Sequence, residues 1–333
     1  MAAAHGAKAL HTLSSRAVVS VHGSDAEAFL QGLTTNDVPN LPVGTCMYTG
    51  FLNHSGRLLV RFPRSPPHAP VARAWRWQLR GENASALPQY DAFLHKRGAN
   101  DLLADVDASA LSPFLKHLKK FKLRSNVTVS DASSDSCVAW DPSSLDTSLP
   151  PDPRLSHLGC RGILSSDAAS RFVNDGDGSS SHRHLRFSLG VGEGTEMDGE
   201  IPLECNFDGL SGVSFTKGCY LGQELIARTH FRGSVRKRLV PIQAESSLSH
   251  SVEKGTSIGR SSGKGRSPGR VLTLDSSGHG LALLRLASLH EEGLCVGTAN
   301  GTRVGISALQ PSWWPPAFTA TGNEQHEESS ASG

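Results

Sequence analysis

The apolar positions of this chain change period several times. Val18, Val19 and Val21 form a short run that predicts a strand from Ala17 to Val21. Ser24 and Glu27 then stand three apart, as in a capping box, where serine takes one free helix N–H and glutamate reaches back to another. Ala26, Phe29, Leu30 and Leu33 follow at the spacing of one helical face, and Thr34-Thr35-Asn36-Asp37 ends it. Phe51 to Leu59 reads as strand, turn and strand, with Gly56 in the turn. Residues 63–72 are rich in Pro and Ala and read as an inserted loop. Trp75, Trp77 and Leu79 alternate with Arg76, Gln78 and Arg80, the pattern of a half-buried strand with a basic outer face. Leu111, Phe114, Leu115 and Leu118 mark a second helix, whose lysines 116, 119, 120 and 122 make a solvated face. Val127 to Val129 and Cys137 to Trp140 read as strands.

Residues 141–182 carry much Ser, Asp, Pro and Gly and read mostly as loop, with a short helix near Ala168 to Val173. Asn174 to Gly178 hints at a calcium loop but lacks the acid at its twelfth position and a flanking helix pair, so it reads as an insertion. His182 and His184 read as solvent-exposed rather than as metal ligands. Leu225 to Arg228 continues a helix, and Arg236 to Ile242 opens a unit of short strands and glycine turns reaching Leu309, the pattern of a small β-barrel. Residues 317–333 are polar and read as disordered.

The 333 residues suffice for two or three domains, and 38% hydrophobic with 19% charged residues describes an ordinary globular core with polar additions. A net charge of +2 implies no general attraction to nucleic acid or membrane, and no apolar run approaches the roughly 20 residues of a membrane span. Cysteines stand at 46, 137, 160, 205, 219 and 295 with no C-x-x-C pair, which argues against structural zinc and for a reducing compartment. The first nineteen residues hold no acid and include Lys8 and Arg16, a trait of mitochondrial transit peptides; they read as the trimmed end of one or as the start of the domain.

The chemistry concentrates in Phe215-Thr216-Lys217-Gly218-Cys219-Tyr220-Leu221-Gly222-Gln223-Glu224. A cysteine beside a lysine and just ahead of a helix can hold a stabilised thiolate, because an ammonium and free helix N–H groups both favour the anion. Gly218 and Gly222 would let the backbone turn, and Glu224 suits a first helical turn. The alternatives are that Cys219 is a small packed hydrophobe and that Lys217 pairs with a surface acid. Cys205 is a second ligand, a resolving thiol or a buried side chain. Arg228, Arg232, Arg236, Lys237 and Arg238 form a basic run suited to phosphate, a polyglutamate tail or an acidic partner, with Lys237 and Arg238 better read as a solvated strand face. Tyr220 and Gln223 line a channel mouth or pack against the neighbouring domain.

Lys217 to Tyr220 with Gly222-Gln223-Glu224 resembles the signature of the YgfZ-type family, relatives of the glycine cleavage T-protein. Phe29 to Gly32 with Thr35 to Asp37, Gly56-Arg57, Leu115 to Arg124, Asp152 to Arg154, Leu158 to Arg161, Leu185 to Glu193 and Ile201 to Asn206 resemble further strings of that family. The likeness runs over about residues 13–310 and is greatest to the mitochondrial branch, iron–sulfur assembly factors that act late in cluster maturation.

The resemblance implies an α+β fold, a three-part cloverleaf of the T-protein type around a central channel, ending in a small β-barrel. Residues 10–62 with 185–235 would make the first domain, 73–184 the second and 236–316 the barrel. It implies Cys219 as the reacting residue and a transient metal ligand in a 2Fe–2S cluster shared with a partner. Lys217, Gly218, Tyr220, Gly222, Gln223, Glu224, Arg228 and Asn53 would be the binding residues around it. The implied partners are A-type iron–sulfur scaffold proteins in the mitochondrial matrix, with no nucleic acid and no membrane insertion, and the chain alone a monomer. In T-protein enzymes the channel holds tetrahydrofolate. This chain has Leu59-Val60-Arg61-Phe62 where they carry a catalytic aspartate, and Ser188 where they carry the glutamate that holds the pterin. Without that bidentate acceptor, folate binding is weakened and aminomethyl transfer disfavoured. A folate-dependent aminomethyltransferase or demethylase, and a pure interaction module, stand as the alternatives to an assembly factor.

Overall fold

The computed structural model describes residues 10–53, 90–143, 149–172 and 177–319, except the side chains of residues 171 and 172. The expected hairpin beyond Asn53, the Pro- and Ala-rich loop, the Trp75–Arg80 strand and Leu59–Phe62 lie outside the described residues, as do Asn174–Gly176 and residues 320–333.

Strands β1 (His11–Thr12) and β2 (Arg16–His22) lead into helix α1 (Ala26–Gln31) and strand β3 (Cys46–Phe51). β4 (Tyr90–Gly98) and β5 (Asp101–Asp107) follow, then helix α2 (Leu111–Lys122), β6 (Thr128–Asp131) and β7 (Ser136–Asp141). An antiparallel five-stranded sheet has the order β3-β4-β5-β2-β6. It draws β2 and β3 from before residue 62 and β4 to β6 from after residue 73, so the first two expected segments share one sheet.

Strands β2 to β5 of this sheet are buried on both faces, while the edge strand β6 is mostly exposed. Ala17, Val19 and Val21 of β2 point to one side, where Phe29 and Leu30 of α1 and Phe114 and Leu118 of α2 cover them. Val18 points to the other, against Leu13, Leu103, Val138 and Trp140. There a three-stranded sheet, β1-β7-β8, with β8 at Cys160–Ser165, closes the layer. Burial of both faces removes the alternation that marks a half-exposed strand. That explains why β4 and β5 carry no clean strand pattern: Asp91, His95, Lys96 and Asp105 are buried within them.

Several local expectations change. The capping box does not form: Asp25 is the N-cap of α1, Ser24 Oγ donates to Asp25 Oδ1, and Glu27 pairs with Lys96 at 2.7 Å. Asp25 instead accepts the Asn126 N–H at 2.7 Å, tying the helix start to the lead of β6. The stretch 141–182 holds more structure than a loop. β8 pairs with β7 along its whole length, α3 (Ser166–Phe172) takes the place of the expected helix, and α4 spans Ser179–Ser188. Gly162 hid β8; a Cβ there would stand 2.8 Å from Leu149 Cδ2, so the strand needs a residue that breaks the apolar pattern. His182 is buried rather than exposed, edge-on to Trp140 at 5.1 Å between centroids, and burial holds its imidazole well below the usual pKa.

Helix α5 (Gln223–Arg232) precedes a closed barrel of six strands in the order β10-β11-β12-β9-β14-β13. These are β9 (Lys237–Ala244), β10 (Ser257–Arg260), β11 (Gly269–Leu274), β12 (His279–Arg285), β13 (Leu294–Gly297) and β14 (Arg303–Ala308). Val240, Ile242, Ile258, Val271, Leu284, Val296 and Ile306 fill it. Gly269 and Gly280 lie within strands, not turns; a Cβ on either would stand 2.2 Å from a carbonyl oxygen of the paired strand. Arg238 is not on a solvated face. It is buried, forms a two-pronged pair with Asp208 at 2.8 and 2.9 Å, and lies 3.3 Å from the ring centre of Phe318. Residues 317–319 therefore belong to the folded barrel edge. No described helix is long and apolar enough to cross a membrane.

Candidate functional site

The Cys219 segment is laced onto the end of α1. Thr35 Oγ1 donates to Gly212 O at 2.6 Å, the Ser214 N–H reaches Thr35 O at 3.0 Å, and the Leu221 N–H reaches Gly32 O at 3.0 Å. Lys217 supplies the anchor. Its Nζ donates to the carbonyls of Gln31, Thr34 and Asn36 at 2.8, 2.7 and 2.8 Å. Those are carbonyls that the end of a short helix and its following turn leave without a helical donor. An ammonium has three donors, and all three are used here. Lys217 is buried and lies 4.8 Å from the ring centre of Tyr220; burial pulls its pKa down to about 8, against the attraction of Asp37. All three of its donors go to backbone carbonyls rather than to a surface acid, so Lys217 positions the loop.

Between the buried Lys217 and Tyr220 the chain turns outward, and Cys219 is exposed. Of the six cysteines it alone is exposed: Cys160, Cys205 and Cys295 are buried, and Cys46 and Cys137 are half-buried. Burial pushes the Cys46 thiol up to about 12 and Cys205 well above its ordinary value. Cys205 thus takes the buried alternative, within a cluster with Phe207, Leu210 and Tyr220.

Gly222 has φ +82° as the N-cap of α5, a left-handed conformation that glycine adopts without strain. Gly218 differs from expectation. Its φ is not left-handed, and a Cβ there would meet nothing within 4 Å. The turn does not need this glycine; it leaves open space beside the thiol. Gln223 is half-buried, while Glu224 and Arg228 are exposed on α5. Asn53 is buried two residues beyond the end of β3. Beside the loop, Phe215 stacks on His230 at 3.7 Å, and Phe231 at the end of α5 is 63% exposed.

A second cluster went unread in the sequence as a site. Three of the strings that carry the family likeness meet around Glu193. Its carboxylate pairs with Arg154 at 2.7 Å, Arg161 at 3.2 Å, Arg16 at 3.3 Å and Arg186 at 3.6 Å. Asp105 bridges Arg16 and Arg161 at 2.6 and 2.7 Å, Asp152 grips Arg154, and Glu196 grips Arg186. Four arginines thus meet four acids, and the Arg161 guanidinium lies 3.9 Å from the ring centre of Phe93. Burial works against the charged form of Glu193, but Arg161, Arg16, Arg154 and Arg186 outweigh it and hold the carboxyl well below its usual range. The only signal in the sequence was the recurrence of Arg and acid inside those strings.

The residues at these positions do not fit a pterin. Ser188 is exposed at the end of α4 and donates to Leu185 O at 2.8 Å. Glu193 and Asp105 have both oxygens committed to arginines, so neither offers a free bidentate edge.

Residues 236–316 match the CAF17 C-terminal beta-barrel domain, the same span that forms the barrel. The fold is similar to the glycine cleavage system aminomethyltransferase T of Bartonella henselae, with a TM-score of 0.63 over 92% of this chain and 87% of that one, at 14% identity. The chain is 33% identical to mouse "Iron-sulfur cluster assembly factor IBA57, mitochondrial" over 92% of its own length and 85% of that protein. To the human protein of the same name it is 31% identical, over 94% and 87%. Identity at this level across nearly the whole of both proteins, on a T-protein-type α+β fold that ends in a closed barrel, shows that the chain belongs to the IBA57 family of mitochondrial iron–sulfur cluster assembly factors.

Proposed function

We propose that this chain matures iron–sulfur proteins by assisting an A-type scaffold in building or repairing 4Fe–4S clusters, with Cys219 meeting the scaffold's 2Fe–2S cluster as substrate. The observation that carries this reading is the exposure of Cys219 alone among six cysteines, on a loop fixed by the buried Lys217. A 2Fe–2S cluster needs about four ligands, and one thiolate supplies one. The cluster is therefore shared, and the isolated chain holds none stably. The open space at Gly218 lets a partner's backbone or cluster approach the thiol closely. Phe231, with the Phe215–His230 stack and the exposed Arg228 and Arg232, gives an apolar patch with basic neighbours that includes Phe215 of the signature segment. The relatives' names place them in mitochondria, and the matrix is the compartment proposed here.

The test is anaerobic mixing with an A-type scaffold loaded with 2Fe–2S. Size exclusion reports the complex, and visible absorption and circular dichroism report the cluster. The wild type is expected to form a complex with an altered cluster spectrum, and Cys219→Ser to lack the spectral change. Unchanged spectra with both proteins would overturn the role of Cys219. Turnover of a methylamine donor with tetrahydrofolate would favour a transferase instead.

A further inference from the structure

We propose a metal site of three side chains, His184, Asp275 and His279, where α4 meets the β11–β12 hairpin of the barrel. One ligand atom from each residue lies within 4.8 Å of the others, and the two imidazole centroids are 4.6 Å apart. Sequence spacing does not reveal it, since His184 stands 91 positions before Asp275 and 95 before His279.

The hairpin arranges its two ligands before any ion arrives. Asp275 Oδ1 accepts the His279 N–H at 3.0 Å and Ser277 Oγ at 2.6 Å. Ser277 Oγ is also 3.0 Å from His279 Nδ1. A hydroxyl has one proton, and an ionised carboxylate can only accept. Ser277 must therefore donate to Asp275 and accept from His279, which puts the neutral imidazole's proton on Nδ1. His279 Nε2 is then left with a free lone pair, the form that binds a metal. A neighbouring oxygen that fixes the tautomer of a ligating histidine is a usual feature of metal sites. Both of these bonds to Asp275 use Oδ1.

His184 is exposed and the other two are half-buried, so small rotations bring the three ligand atoms to the roughly 2.0–2.2 Å bonds of an ion. Two imidazoles and one carboxylate suit a divalent first-row transition ion, with solvent filling the remaining positions. α4 already buries Phe187 among Leu239, Leu272, Leu281 and Leu283 of the barrel. The ion would clip the surface end of that same junction. This site is independent of the cluster handling at Cys219.

The test uses the full chain carrying Cys219→Ser, which removes the exposed thiol as a competing ligand. Co²⁺ is titrated anaerobically, followed by visible absorption, and Zn²⁺ is then added in competition. One Co²⁺ per chain is expected, displaced by Zn²⁺. His184→Ala and His279→Ala are expected to weaken binding at least tenfold, and Ser277→Ala about tenfold. Far-ultraviolet circular dichroism checks the fold of each variant. Should His279→Ala not fold, the exposed His184→Gln decides. Absence of Co²⁺ binding by the parent, or unchanged affinity in the His184 variant, overturns the proposal.

Discussion

The Lys217 anchor can be tested by replacing its ammonium while keeping its stem, in Lys217→Met. Three charge-assisted bonds are lost at once. A hydrogen bond to a charged group is worth about 1.5–3 kcal/mol, but the loss depends on what replaces it. The bonds to Gln31 O and Asn36 O are part-buried, so water takes over there at little cost. The bond to Thr34 O is buried, and that carbonyl is left orphaned for about 1–3 kcal/mol. Adding about 0.5 kcal/mol for each hydrated bond to the middle of that range gives a loss of about 3 kcal/mol, or about a hundredfold in local opening. Hydrogen exchange reads this at the Ser214 and Leu221 amides, which are bonded to Thr35 O and Gly32 O. Both should exchange about a hundredfold faster in the variant. Alkylation of Cys219 by iodoacetamide at pH 7 separates anchoring from thiolate activation. An anchor leaves the rate equal or higher once removed. An ammonium that stabilises the thiolate would instead slow alkylation several-fold, roughly up to tenfold, when lost. Protected amides together with slowed alkylation would refute the anchoring argument.

Gly218→Ala should fold with stability within about 0.5 kcal/mol of wild type, because its Cβ meets open space, yet weaken the scaffold complex at least fivefold; an unchanged complex by size exclusion would remove the close-approach argument. Glu193→Gln should cost about 3–5 kcal/mol in urea unfolding, since it leaves four buried arginines facing three acids, and a loss under 1 kcal/mol would mean the network is not a structural keystone. His117 is buried among Phe51, Tyr90 and Phe121 with neither ring nitrogen partnered, and burial, then Lys120, pull its pKa down to about 4. A folded pKa below the unfolded value of about 6.5 means the folded state resists protonation. Its contribution is whole above about pH 6.5 and is lost as pH falls toward 4, about 3 kcal/mol in full; His117→Phe should lose less stability than wild type between pH 7 and 4.5, and equal losses would contradict this.

Much of the chain was legible because it obeys local rules. The α2 stripe Phe114, Leu118 and its exposed lysines follow helical spacing, and the barrel announces itself through short apolar strands. The signature loop was legible as a string, though not as a geometry. Tertiary contacts decided the rest. β5 and β8 hold buried Asp105 and Arg161, side chains that look like surface residues until partners from distant segments neutralise them. In the sequence Lys217 could be read as serving Cys219 or a surface acid, because sequence shows adjacency and not direction. The fold turns its ammonium toward the end of α1, about 185 residues earlier, where unpaired carbonyls demand donors. His184 and His279 are unremarkable in sequence and become a pair only where α4 crosses the barrel. The sequence by itself determined the family, the helix and barrel elements and the signature string that holds Cys219. The tertiary structure decided which charges are buried together, which carbonyls the Lys217 ammonium bonds, and that Cys219 is the exposed one of the six cysteines. Burial and pairing are properties of distant segments brought together, and no local period encodes them.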